Sequence, residues 1–217
     1  MSPDLTVIVP LYNGECHVEA ALNSVVENAE RLLEVIVVDD GSTDGGPEIV
    51  RRLGDPVWLI EQENAGVSAA RNAALQAARG ELIAFLDHDD LWAAPTPDPR
   101  RAILERPGVD AVLGRVQPVA GDDLQPIGEP LSGVQLGALL APRELLLEHG
   151  GFDREMRFSE DLDLILRMRD AGVRIELIPD VTVLYRQHGM SATRNREADR
   201  AGIVSAIRSS LVRRDAT

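Results

Sequence analysis

The chain has no lysine: all 22 of its basic residues are arginine. That absence excludes a phosphate-binding loop of the Walker type, a Schiff-base enzyme and the lysine chemistry of a sugar-nucleotide pyrophosphorylase. Cysteine occurs once, as Cys16, which excludes an internal disulfide and a cysteine-rich zinc site. Aromatic residues are 3% of the 217, so a core drawn from the 44% hydrophobic content must be aliphatic. No apolar run approaches the 18 residues that a membrane helix needs, and no basic leader with an apolar stretch opens the chain. The expected compartment is the cytoplasm. Positive charge is also scarce, with 36 acidic residues giving a net charge of −14. A field of that sign repels nucleic acid, so a nucleic-acid partner is not expected. A local anion site that recruits a metal remains compatible with it.

What is present is an alternation. Short β-branched runs lie at residues 5–9, 35–38, 57–60 and 82–86, and stretches of helical spacing lie between them at 16–28, 46–53 and 67–78. Continuous apolar runs separated by helices predict a mostly parallel sheet covered on both faces, an open doubly wound α/β fold. Beyond Trp92 the pattern loosens. Pro95, Pro97 and Pro99 precede a helix near 100–105, and 109–113 reads as a strand. Residues 121–137 read as loop or edge structure, 139–147 and 159–171 as helices, and 173–178 as a strand. Residues 197–211 read as an amphipathic helix carrying Ile203, Val204, Ile207 and Leu211 on one face. One domain over residues 1–217 is expected, with segments 1–92, 93–191 and a tail 192–217.

In open parallel sheets, ligands bind outside the carboxyl ends of the strands. Four polar clusters fall there: Pro10 to Asn13, Asp39-Asp40, Gln62 to Asn64, and Asp87-His88-Asp89-Asp90. Two carboxylates one residue apart after a strand can turn to a common point, where hard oxygen ligands suit Mg²⁺ or Mn²⁺ completed by phosphates and water. A turn of solvated aspartates is the alternative for such a pair alone; the neighbouring acidic strand ends favour the metal. Asp40 is placed to accept from a base N–H, Asp39 to hold the loop, and Asp44 to cap the next helix. Tyr12 offers a flat face for a base or a cover for the sheet edge. Arg71 either reaches a base or phosphate across the rim or pairs with a surface carboxylate. Ser159 suits a helix cap, with the acids after it at the positive end of the helix, and Asp161 is the candidate general base. His188, after an apolar run and Arg186, either completes a metal site, binds phosphate or serves the structure.

Taken together these residues resemble the family 2 glycosyltransferases of the GT-A fold. The likeness rests on TVIVPLYNG from Thr6, EVIVVDDGSTD from Glu34, NAGVSAARNAA from Asn64 and RGELIAFLDHDD from Arg79. It continues in GGFD from Gly150, SEDLDLILRM from Ser159 and YRQHGMS from Tyr185, and is loose between Pro95 and Gly137. The resemblance implies an inverting transferase using a nucleotide-diphosphate sugar, with the first segment binding the nucleotide sugar and the second carrying the acceptor site and base. Pro10, Tyr12 and Asp40 would surround the base, usually uracil, with Arg71 assisting. Asp87 and Asp89 would form the metal motif beside the diphosphate, joined by His188, with Mn²⁺ or Mg²⁺ as cofactor. Arg186 would meet the leaving phosphates, and Asp161 would be the catalytic base. His88 is given no ligand role.

A silent nucleotide-sugar-binding or scaffold member of the same fold is the rival reading, and the retained Asp87, Asp89 and Asp161 speak against it. A nucleotidyltransferase is disfavoured by the missing lysine. The acceptor hydroxyl, whether on a glycan, lipid, peptide or small molecule, is left open. Residues 194–217 carry six arginines against three acids, so this tail either touches a membrane surface or is a helix with a solvated charged face.

Overall fold

The computed structural model describes residues 3–28, 33–94, 97–121, 123–156, 158–188 and 196–215. Its first half follows the expected alternation. Strands β1 (Leu5–Leu11), β2 (Leu33–Asp39), β3 (Val57–Glu61) and β4 (Leu82–Phe85) are interleaved with helices α1 (Val18–Glu27), α2 (Gly46–Leu53) and α3 (Val67–Ala77). The four strands are parallel, in the spatial order β3-β2-β1-β4. Successive side chains of a strand point to opposite faces. Val7, Ile8 and Val9, like Val35 to Val38, are all buried, so both faces of the sheet are covered. Helix α1 buries Val18, Ala21, Leu22 and Val25, the i, i+3, i+4, i+7 stripe of a helix lying on a sheet.

The second half contains β5 (Leu91–Trp92), α4 (Pro99–Leu104), β6 (Ala111–Ala120), β7 (Gln125–Pro126) and a 3-10 turn at Leu136–Ala138. Then come β8 (Leu139–Pro142), α5 (Arg143–Glu148), α6 (Glu160–Asp170), β9 (Ile175–Gln187) and α7 (Arg196–Asp215). The sheet continues from β4 as β8-β6-β9-β5, with β7 paired to β6. Here the pairing is mixed: β8 runs antiparallel to both β4 and β6, while β6 and β9 are parallel.

Three sequence expectations change. Residues 139–142 form a central strand, not the start of a helix, because Leu139, Leu140 and Ala141 are fully buried between β4 and β6 and show no alternation. Pro142 then starts α5. The strand near 173–178 runs on to Gln187, because the register skips from Leu113↔Leu177 to Arg115↔Val181 and the irregularity takes up Pro179. Helix α1 begins at Val18, two residues later than Cys16.

Helix α7 packs on α6 through a strip of small residues. A Cβ on Gly202 would stand 2.6 Å from the Phe158 carbonyl oxygen, so only glycine lets the helix approach. Ala206 and Ser210 are buried further along, the Ser210 hydroxyl donates to Asp170 at 3.0 Å, and Arg213 pairs with the same carboxylate.

Candidate active site

The carboxyl ends of β1, β2 and β4 open into one cleft of about 1480 Å³, whose lining also includes the start of α6 and parts of β6 and β9. The rim at the ends of β1 and β2 is tied together by short polar contacts between loops. Asn13, held at φ +51°, accepts from the Thr43 N–H at 2.8 Å and donates its own N–H to the Ser42 hydroxyl. Asp39 accepts from the Ser42 N–H, the loop-holding part expected of it. Asp44 stands one residue before the cap of α2, which is Gly45 and not Asp44 as expected; its carboxylate accepts from the N–H groups of Glu15 and Gly46 and so pins the loop after β1 to the start of α2. Tyr12 stands 49% exposed on this rim, and Pro10 is buried beneath it.

Asp40 is placed differently from the simple expectation. It is buried, and its carboxylate accepts from the N–H groups of Ala65 and Gly66 at 2.8 Å and from the Gln62 amide at 2.7 Å. Those three bonds fasten the loop before α3 to the end of β2. Gly41 makes the approach possible: its φ is +77°, and a Cβ there would meet the Asn64 nitrogen at 3.0 Å.

Arg71 departs further from a surface role. Its side chain is 6% exposed and its guanidinium bridges two carboxylates, Asp87 at 2.8 Å and Glu160 at 2.5 Å. Sequence spacing hides this clamp, because the partners lie 16 and 89 residues away. It joins the end of β4 to the start of α6, and stacks at 5.5 Å over Phe152. The positive charge is well matched: burial works against it, yet Asp87, Glu160 and Asp161 hold the guanidinium above its ordinary value.

After β4 the four residues Asp87 to Asp90 divide their tasks. Asp89 meets His188 at 2.8 Å, carboxylate to Nε2. Asp90 is buried and accepts the Arg186 N–H at 2.9 Å; burial, with Asp87 and Asp89 beside it, pushes its carboxyl well above the usual range. Arg186 is itself buried and donates to the Asp89 carbonyl, so it shapes this loop from β9. His88 packs against Gly14, where a Cβ would stand 2.3 Å from the ring, and its Nδ1 lies 3.2 Å from the Pro10 carbonyl. The ring therefore ties β1 to β4.

The structure thus brings Asp89 and His188 together but pairs Asp87 with Arg71. Among the described residues no three His, Cys, Asp or Glu side chains form a ready cation cluster. A carboxylate and an imidazole 2.8 Å apart nonetheless fit two adjacent positions on one divalent cation, the remainder falling to diphosphate oxygens and water. His17, in no sequence motif, was missed: its ring lies 4.9 Å from that of His188. Burial, then the neighbouring Arg186 and His188, keep it below the ordinary histidine value.

Asp161 lies in the same cleft at the first turn of α6. Burial and the adjacent Glu160 raise its carboxyl to about 6, against the opposing pull of Arg71 and the Leu162 N–H. Ser159 occupies the cap position in a left-handed conformation, φ +60°, and its hydroxyl does not cap the helix as expected. That turn aims the start of α6 into the cleft. Glu160, which the sequence left among helix-dipole acids, is the partner that anchors Arg71.

Comparison with known proteins gives the chain a family and a fold. The model of the family described as glycosyl transferase family 2 matches residues 6–135. Glycosyltransferase GlyA of Streptococcus pneumoniae is 43% identical over 89 residues, 40% of this chain and 13% of that protein. Among solved structures, the mannosyltransferase PcManGT from Pyrobaculum calidifontis, in complex with GDP-Man and Mn²⁺, superimposes with a TM-score of 0.77 at 28% identity. That match covers 97% of this chain and 65% of PcManGT. Residues 1–349 of S. aureus TarS give a TM-score of 0.78 at 23% identity, again over 97% and 65% of the two chains. The chain therefore spans only part of the relatives it matches. With the model covering more than half its length, this chain belongs to glycosyl transferase family 2.

Proposed function

We propose that the chain transfers a sugar from a nucleotide-diphosphate donor, a UDP-sugar, to an acceptor hydroxyl with inversion at the anomeric carbon. The observation that carries the reading is the convergence, in one cleft, of the Asp89–His188 pair and an Asp161 carboxyl raised to about 6. A nucleotide-sugar donor is supported by solved relatives: TarS structures hold UDP or UDP-GlcNAc, and PcManGT holds GDP-Man.

In this account Tyr12 and Pro10 form the base platform. Asp40 acts by fixing the loop from Gln62 to Gly66, which forms the opposite wall of the base pocket. Asp89 and His188 would hold a divalent cation, with Asp87 beside them. When bound, that cation supplies positive charge to the departing diphosphate. Arg71 sets the distance between the metal motif and the acid pair at α6. Asp161 accepts the proton of the attacking hydroxyl; a base with a value near 6 is ionised at neutral pH yet retains proton affinity. Attack from the face opposite the leaving group gives inversion without a covalent intermediate.

Calorimetric titration with UDP, with and without Mn²⁺, tests the donor and metal assignments. Wild type should bind UDP more tightly with Mn²⁺, and Asp89→Ala and His188→Ala should each lose that enhancement. Equal Mn²⁺ enhancement in both variants would remove these residues from the metal site.

A further inference from the structure

The cleft is larger than the roughly 300–1,000 Å³ usual for one small ligand, and its two ends differ in chemistry. The end under β1 and β2 is polar. The other, beyond Asp161 and under β6 and β9, is lined by Val116, Ile127, Val134, Leu136, Tyr185 and Ile203. Gln135, Gln187 and the hydroxyl of Tyr185 are the polar groups that the same segments add among the described residues. A site built for a bare sugar or a peptide needs several converging donors and acceptors, because an unpaired polar group of the ligand costs binding energy. Aliphatic walls instead gain from covering hydrocarbon.

The apolar surface also continues outward. Ile127 is 41% exposed at the mouth, and Leu131, on the segment that bridges to Val116, is 49% exposed. Ile203 belongs to α7, and one turn on from it Ile207 is exposed together with Val204 and Leu211. Arg200 and Arg208, both exposed, share that face of the helix. Hydrocarbon leaving the cleft past Ile203 would meet this stripe, and an anionic group on it would meet the two arginines.

Resting on the transferase reading above, we infer that the acceptor hydroxyl is attached to a hydrocarbon chain: the acceptor is an amphiphile whose apolar part fills the end of the cleft between β6 and α7. The probe is a series of n-alkyl β-D-glucopyranosides, methyl to octyl, kept below their micelle concentrations and titrated into the protein with UDP and Mn²⁺ present. Affinity should rise about fourfold for each added methylene over the buried part of the chain. The dependence should flatten in Ile203→Asn and Val134→Asn, both at partly exposed positions, while UDP binding is unchanged. Affinity independent of chain length, or a slope that both variants leave intact, would overturn the inference. UDP titration of the same samples separates the two readings, because loss of donor binding in wild type would sink the transferase assignment itself. Flotation with phosphatidylglycerol vesicles distinguishes the source: co-flotation that Ile207→Asp with Leu211→Asp abolishes assigns the chain to a membrane lipid, and no flotation assigns it to a soluble amphiphile.

Discussion

At Asp161 two opposing effects meet, and their balance sets both chemistry and stability. Burial and Glu160 favour the neutral acid, Arg71 favours the carboxylate, and the outcome is a value of about 6. A base must be ionised, so kcat/KM should fall as pH drops through about 6, close to tenfold per unit below it. Replacing Arg71 by Gln removes the cation that holds the value down, and the acidic limb of the profile should then move to higher pH. The same shift has a stability sign. The folded value exceeds the unfolded one near 3.8, so stability is fully present below that value and is lost as pH rises through about 6. Asp161→Asn should therefore be more stable than wild type at pH 7.5, by about 1–3 kcal/mol. Urea melts at pH 7.5 and 4 check this, and the gap between the two proteins should narrow at the lower pH. Arg71 itself shows where single residues escape sequence reading. Its charge is visible, but the bridge to Asp87 and Glu160 exists only because the end of β4 and the start of α6 lie side by side. His17 carries no motif at all and gains its place from the fold.

At the scale of elements, the β1 to β4 units were legible because each strand carries a short apolar run bounded by turn residues. The second half was less so, for the reason seen at Leu139 to Ala141: a run buried on both faces has no period to distinguish strand from helix. Pro179 likewise masked the length of β9, since nothing local signals the register shift that accommodates it. Contacts between elements give their own tests. Buried Glu34 on β2 accepts from the Thr6 hydroxyl at 2.7 Å and from the N–H and guanidinium of Arg79, joining β1, β2 and the loop before β4. Burial pushes its carboxyl up, but those donors outweigh it and hold the group below its ordinary value. Glu34→Ala leaves those donors without an acceptor and should cost roughly 2–4 kcal/mol in a denaturant melt. Gly80 passes so close to β1 that an added Cβ would lie 2.6 Å from the Thr6 nitrogen. Gly80→Ala should cost about 1–3 kcal/mol by overpacking.

For the molecule as a whole, the central feature is one sheet whose two halves line different parts of one cleft. In the proposed reading the loops of the parallel half hold the nucleotide, while the second half of the chain supplies Asp161 and an apolar end. Asp89 comes from the first and His188 from the second, so in the proposed reading donor and cation would bind across the join. UDP with Mn²⁺, taken as one ligand at a hundredfold excess over the dissociation constant of the Mn²⁺–UDP complex, should add about 2.7 kcal/mol. That corresponds to roughly 5–10 °C in Tm for a chain of this size. Mn²⁺ or UDP alone should give less than half of it. The most direct measurement compares wild type with Asp161→Asn in nucleoside diphosphate release from a panel of nucleotide sugars, alongside UDP titration of both. The account predicts Mn²⁺-dependent release by wild type, and in Asp161→Asn unimpaired UDP binding with turnover reduced by at least about a hundredfold. Turnover at the wild-type rate in that variant would contradict it.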